Sequence, residues 1–460
     1  EALLSVNYQL SSAMFCKIDN MEITDEMIAN VKARMQEIIN QNLEIRKVVM
    51  TKEEAEEFYS NEKTLRGIVQ IDNTQKEGVS LYYCEDYFNY FFGVMPVTTA
   101  YTDVFDVIKY GDGFLVRYPS AEKPNELTNY KSNKKLLSTL EEYEDIHRVL
   151  QIDTLYKLNK EIKEGRTSNV ILLSEALHEK KMANIADDIA KRKNVKMVLI
   201  AGPSSSGKTT FAKRLGVELR LNGLKPVTIS VDNYFVERVD NPKDENGDYD
   251  FECLEAIDLE LFNNHIKTLL DGGTIDVPTF DFKVGTKRYN GEKMHLEDDE
   301  ILVIEGIHCL NDKLTSSIPM EQKYKIYISD LTVLNIDYCN RISTTDTRLI
   351  RRIVRDNNFR GYSALHTLRT WASVNRGENK NIFPYQENCD VMFNSSLIYE
   401  LSVLKKQALP LLQEITNAEP EYAEAKRLAE FLKYFEEVDE GLIPQNSLLR
   451  EFVGGSIFGD

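Results

Sequence analysis

The stretch VLIAGPSSSGKTT, residues 198 to 210, is the tightest constraint in this chain. Gly202, four residues, then Gly207, Lys208 and Thr209 satisfy G-x-x-x-x-G-K-[ST], the spacing of a loop that cradles phosphate. Small residues let successive backbone N–H groups converge on phosphate oxygens. The positive end of the following helix adds to their field, and Lys208 places a point charge on the outer phosphates. Thr209 then offers its hydroxyl to a magnesium ion. Such a loop needs a strand before it and a helix after it. Lys196 to Ala201 reads as a buried strand, and Thr209 to Leu221 as a helix with apolar Phe211, Leu215, Val217 and Leu219.

A phosphoryl-transfer site also needs an aligned acceptor, a metal and cations for the charge on the moving group. Val227 to Val231 reads as the next strand and delivers Asp232, in VDNYF, to its C-terminal end, where ligands bind in open α/β sheets. A carboxylate there accepts the proton of a substrate hydroxyl or binds magnesium through water. Ile301 to Ile304 is a third strand ending in Glu305-Gly306, a second carboxylate at the matching level. Either acid alone reads equally well as an ordinary turn or capping carboxylate. Two at strand ends downstream of a phosphate loop point to chemistry. In TRLIRRIVRDNNFRGY, Arg348, Arg351, Arg352, Arg355 and Arg360 crowd into one helix and the loop after it. Arg352 and Arg355 share a helix face and would reach phosphates when a lid closes, where a bland reading has only a solvated basic face.

The rest of the chain frames these motifs. Its 460 residues allow two to four domains. A net charge of -18 argues against a surface that wraps nucleic acid or lies on an anionic membrane. No apolar run reaches spanning length, and no signal-like segment opens the chain. The six cysteines show neither C-x-x-C nor framework spacing, which predicts a reducing cytoplasm and no structural zinc. Thr24-Asp25-Glu26 opens a capped amphipathic helix, and Thr51 to Glu54 is a capping box. Residues 64 to 118 read as several strands. The expected divisions are an α+β region over 1–145, a helical connector over 146–195, an α/β region with a doubly wound parallel sheet over 196–416, and a helix and tail over 417–460.

GPSSSGKTT, VDNYF, YDFECLEAIDLELF, VPTFDF, ILVIEGIH and RRIVRD with FRG, in that order, resemble the uridine kinase and phosphoribulokinase family over about residues 196 to 414. The resemblance implies a P-loop kinase domain using ATP and Mg2+. Gly202, Ser204, Ser205, Ser206, Gly207, Lys208, Thr209 and Thr210 would hold ATP, and Asp232 would be the catalytic base. Glu305 would act beside magnesium with Thr209 and Asp232, and Arg352 and Arg355 would be lid arginines. Glu252 stands where these kinases carry an Asp that holds ribose hydroxyls. Phe280 and Gly285 replace a Tyr and a His that help read a pyrimidine edge, and neither can donate that hydrogen bond. Tyr362 stands where an Arg is usual. The Phe280 ring is expected to stack on a base, and KRYNGEKMH, with Asn290-Gly291 as its turn, to form a hairpin bringing Tyr289 over the pocket.

The first region, with MFCKIDNMEITDEM and FFGVMPVTTAYTDVF, is similar to the editing region of threonyl-tRNA synthetase, in a bacterial branch of nucleoside kinases that carries such a domain. Phe91 and Met95 stand where the synthetase has a Cys and a His, and no H-x-x-x-H occurs, so the resemblance implies a scaffold without the editing chemistry. The expected activity is transfer of the ATP γ-phosphate to a small-molecule hydroxyl, foremost the 5'-hydroxyl of a ribonucleoside, by a homo-oligomer. A kinase of the same fold for a non-nucleoside alcohol or sugar phosphate, and an ATP-switched RNA-associated regulator, are the alternatives. No N-K-x-D guanine motif supports a GTPase.

Overall fold

The computed structural model describes residues 3–60, 78–91, 95–120, 123–243, 247, 249–281 and 284–459. Contacts group Glu1–Val170, Thr332–Thr347 and Leu401–Val438 into one compact unit, and Ile171–Leu331, Arg348–Glu400 and Asp439–Asp460 into another. Neither unit is continuous in sequence.

In the first unit, β1 (Leu3–Gln9), β2 (Ala13–Asp19), β6 (Asp106–Tyr110) and β7 (Gly113–Arg117) form an antiparallel sheet in the order β1-β2-β7-β6. Helix α1 (Asp25–Asn40) lays Met27, Ile28 and Met35 on it against Val107 and Phe114. Thr24 caps α1 by accepting from the Met27 N–H at 3.2 Å, as its sequence predicts. A second sheet, β3 (Arg46–Met50), β4 (Val79–Cys84) and β5 (Tyr87–Tyr90), carries α2 (Lys52–Ser60). The capping box of α2 is complete: the Thr51 N–H donates to Glu54 Oε2 at 2.9 Å and the Glu54 N–H to Thr51 Oγ1 at 3.2 Å. The strand expectation over 64 to 118 is met at β4 to β7, while residues 64 to 77 lie outside the described residues. Helices α3 (Lys134–Leu150) and α4 (Leu155–Lys163) follow. Residues 332–347 join this unit through side chains and backbone: the Val6 N–H donates to the Tyr338 carbonyl at 2.8 Å, and Asn335 Nδ2 to the Asn7 carbonyl at 3.0 Å.

The second unit is built on a five-stranded, all-parallel sheet in the order β14-β13-β8-β12-β9. Its strands are β8 (Met197–Ala201), β9 (Lys225–Ser230), β12 (Glu300–Glu305), β13 (Lys323–Ser329) and β14 (Val391–Asn394). Val198, Ile200, Val303 and Ile326 meet Met182 and Ile185 of α5 (Thr167–Lys191) and Phe211 and Leu215 of α6 (Lys208–Leu221). The alternate residues Met197, Leu199, Leu302 and Ile304 are also wholly buried. Burial on both faces is why β8 and β12 read as unbroken apolar runs rather than alternating ones. Helix α7 (Leu259–Leu270) precedes a hairpin of β10 (Thr274–Asp281) and β11 (Thr286–His295). Helices α8 (Thr344–Arg355) and α9 (Ala364–Asn381) come next, with α8 running into a π-helical turn at Asp356–Arg360.

The hairpin corrects one expectation. Asn290-Gly291 is not its turn: the register passes from Pro278↔Tyr289 to Asp276↔Lys293, so the strand bulges through 290 to 292, and Gly291 takes φ +81. The chain reverses between Asp281 and Thr286, where the Gly285 N–H returns to the Asp281 carbonyl. Tyr289 is thus a mid-strand residue, 53% exposed.

Phe211 is wholly buried, its ring 4.6 Å from that of Phe393. Phe211→Ala should lower the unfolding free energy by about 3–5 kcal/mol, read as a shifted urea midpoint at unchanged slope.

Candidate active site

The site is assembled at the C-terminal ends of β8, β9 and β12, where a parallel sheet directs ligands. Each sequence-marked residue is reached by following the strands. The loop between β8 and α6 holds Gly202 to Gly207. A Cβ at Gly202 would stand 1.9 Å from the Ile328 carbonyl oxygen, so the neighbouring strand leaves room only for glycine. Ser205 and Gly207 both take left-handed backbone, φ 59 and 87. Ser205 and Ser206 are buried, whereas Thr209 is exposed at the start of α6.

Buried arginines of α8 hold this loop from behind. Arg348 and Glu378 pair through two hydrogen bonds of 2.6 and 2.8 Å, with both side chains 2% exposed or less. Arg348 Nη1 also donates to the Ser204 carbonyl at 3.1 Å, while Glu378 Oε1 accepts the Ser204 N–H at 2.8 Å. Arg351 pairs with Glu400 and donates to the Ser205 carbonyl at 3.3 Å. Carbonyls drawn toward α8 turn peptide units of the loop in a defined sense, which is how an anion cradle is kept open. Arg352 Nη1 donates to Ser204 Oγ at 2.6 Å. Lys208 Nζ folds back on the Gly202 and Pro203 carbonyls, at 2.9 and 3.1 Å.

Beyond the loop, three guanidinium groups surround one carboxylate. Arg352, Arg355 and Arg360 lie 3.2, 2.8 and 3.7 Å from the buried Asp356. Three positive charges on one negative charge leave a cationic excess, which suits a phosphoryl group. Burial pulls the Arg352 and Arg360 guanidinium pKa values below the usual range, and Arg355 adds repulsion to both.

The carboxylates face this cationic side. Asp232 follows β9 in a short 3-10 turn, Val231–Tyr234. Solvent reaches it, yet lost hydration in the cleft still raises its pKa, against the opposing pull of Lys208 and Arg360. Glu305 ends β12 and accepts from Ser230 Oγ at 2.8 Å. Burial, and then the charge of Asp232, push it up to about 7. Glu252 is also pushed up to about 7, first by burial and then by Glu378, with Arg352 opposing. It lies against α9, where a Cβ on Gly377 would come within 2.5 Å of its Cβ.

The expected acceptor residues are more scattered in character. Phe280 is only 7% exposed, with its ring 5.6 Å from that of Phe235 and tilted to it, so most of its surface is already covered. Gly285 has φ +82, and Arg238 occupies the space a side chain there would take. Tyr362 stacks on His366 at 4.5 Å and is 46% exposed. Sequence reasoning missed Glu378 and Asp356. Asp356 had a signal in its place directly after Arg355, but Glu378 had none, because its partners are distant in sequence.

A strand, glycine loop and helix on a parallel sheet, facing paired carboxylates and arginines, define a P-loop phosphotransferase. The description "Phosphoribulokinase / Uridine kinase family" matches residues 197–400. Uridine kinase of Bacillus subtilis is 27% identical over 47% of this chain and 96% of its own length. That of Ligilactobacillus salivarius is 30% identical over 40% of this chain and 78% of its own. A solved structure described as a possible uridine kinase from Bacillus stearothermophilus aligns at TM-score 0.31 and 17% identity over 46% of this chain and 100% of that one. The chain belongs to the phosphoribulokinase and uridine kinase family, and is a kinase.

The raised carboxylates have a thermodynamic signature. An unfolded glutamate ionises near 4.5, below the value of about 7 for Glu305 in the fold. Between the two, the unfolded state releases its proton first, so this group lowers stability as pH rises. Glu305→Gln should therefore gain stability relative to wild type from about pH 5 to about pH 8. Urea denaturation of the ligand-free proteins across that range checks it; a constant difference would contradict it.

Proposed function

We propose that the chain transfers the γ-phosphate of ATP to the hydroxyl of a small molecule, foremost the 5'-hydroxyl of a ribonucleoside. The observation that carries this reading is the pairing of Asp232 and Glu305 at adjacent strand ends, both within the electrostatic reach of Lys208. A raised carboxylate at Asp232 suits a base that takes the acceptor proton as the phosphoryl group arrives. Lys208, Arg352 and Arg355 would balance the charge of that group, and the loop from Gly202 to Thr210 would hold the outer phosphates. Glu252 would accept hydrogen bonds from two neighbouring hydroxyls of the acceptor, with its position set by contact with Gly377.

The donors also fit magnesium. The charge of Asp232 raises the cost of ionising Glu305, and Thr209 adds an exposed hydroxyl, an all-oxygen set of the kind a hard divalent cation takes. Asp232, Glu305 and Thr209 would hold magnesium there, and its positive charge would offset that of the phosphates. The protein side chains would keep it in register with the loop.

A second reading, a non-nucleoside alcohol or sugar phosphate as acceptor, is favoured by Gly285 and the covered ring of Phe280. Neither presents a donor to a base edge, and a site without such donors discriminates bases weakly. The first region we read as a synthetase-like scaffold without editing chemistry, in a cytoplasmic homo-oligomer. An ATP-switched RNA-associated regulator is the alternative to a kinase. No described helix is long and apolar enough to cross a membrane.

ADP release across nucleosides, sugar phosphates and simple alcohols, with product masses and Lys208→Ala as blank, tests the assignment. One acceptor should yield a monoester, and turnover raised by tRNA but by no small acceptor would contradict the kinase. With that acceptor, Asp232→Asn should lower kcat by about 10²–10⁴-fold; an unchanged kcat would remove Asp232 as the base.

A further inference from the structure

The C-terminal segment reaches the phosphate loop and supplies a carboxylate there. Glu451 Oε2 accepts the backbone N–H of Thr210 at 3.0 Å. Thr210 lies in the first turn of α6, whose N–H groups have no intrahelical acceptor and would otherwise face an anion. A helix is ordinarily capped by the residue that begins it. Here that residue is Gly207, without a side chain, and the cap comes from 241 positions away.

The segment is anchored on both sides of Glu451. Leu448 is buried in the core with α5 and α6, and lies 4.0 Å from where a Gly207 Cβ would be. Phe452 is wholly buried, 5.0 Å beneath the Arg351 guanidinium, and its carbonyl accepts from Asn358 Nδ2 at 3.1 Å. Farther on, Lys213 Nζ donates to the Phe458 carbonyl at 3.2 Å. Glu451 is thus held in place by a packed segment. Its charge also reaches Glu305, whose ionisation it opposes. A negative charge in that position repels a polyphosphate as well as occupying one of its donors.

We propose that Glu451 is a determinant of nucleotide affinity: its carboxylate holds the Thr210 N–H that a nucleotide phosphate would take, and the nucleotide must displace it. This rests on the reading of the loop as the ATP site. The displaced state needs only withdrawal of the Glu451 side chain, because Leu448 and Phe452 hold the backbone independently. The carboxylate therefore sets a threshold on the nucleotide concentration at which the site fills.

The test is the dissociation constant of ATP with magnesium for wild type, Glu451→Ala and Glu451→Gln, with Lys208→Ala as control, alongside amide hydrogen exchange at Thr210. Glu451→Ala should bind ATP about tenfold more tightly, the size expected for freeing one charge-assisted donor, and Glu451→Gln should fall between. In the absence of nucleotide the Thr210 amide should exchange faster in Glu451→Ala than in wild type, and ATP should protect it again. Equal or weaker binding by Glu451→Ala would overturn the proposal and leave Glu451 a structural cap. Binding by none of the proteins would overturn the nucleotide reading and the proposal with it.

Discussion

The phosphate loop keeps its form because a buried ion pair stands behind it. Arg348 and Glu378 meet in the interior, and each also holds one end of the Ser204 peptide environment, the carbonyl for the arginine and the N–H for the glutamate. Two buried charges are costly when unpaired, so loss of either partner leaves the other stranded next to the loop. Arg351 repeats the arrangement one position on, with Glu400 as its partner and the Ser205 carbonyl as its further acceptor. Spacing along α8 explains the division of labour. Arg348, Arg351 and Arg352 recur at helical intervals and so face the loop together, while Arg352 also joins Arg355 and Arg360 at Asp356 beyond it.

The same helix that supplies Glu378 also packs against Glu252. Gly377 allows α9 to approach Glu252, and the charge of Glu378 helps to raise the Glu252 pKa. Adjacent residues thus have separate tasks: Glu378 holds the loop, and Gly377 makes room for the Glu252 carboxylate. A shift of α9 would disturb both, which ties the loop to Glu252 through a packed element.

Local pattern carried much of this fold. The unbroken apolar runs of β8 and β12 announced buried parallel strands, and Thr24 and Thr51 announced helix starts, because these signals lie within a few residues of their effects. The loop glycines were legible for the same reason. Asn290-Gly291 misled because a pair that favours left-handed backbone serves a bulge as readily as a turn, and only the partner strand decides between them. Glu378 and Glu451 were silent because their meaning lies in contacts 174 and 241 positions away. Phe280 and Gly285 stood out in the sequence as departures from a family pattern, but the cover over Phe280 and the place of Arg238 against Gly285 are products of packing.

On the reading of the loop as a nucleotide site, its affinity depends on the buried Arg348–Glu378 pair and not on the loop sequence alone. Calorimetric titration of ATP with magnesium into wild type and Glu378→Gln, at a temperature where circular dichroism shows both folded, measures that dependence. The dissociation constant should rise by about tenfold or more in Glu378→Gln, since the variant loses the charge that orients Arg348. An unchanged constant in a folded Glu378→Gln protein would contradict it.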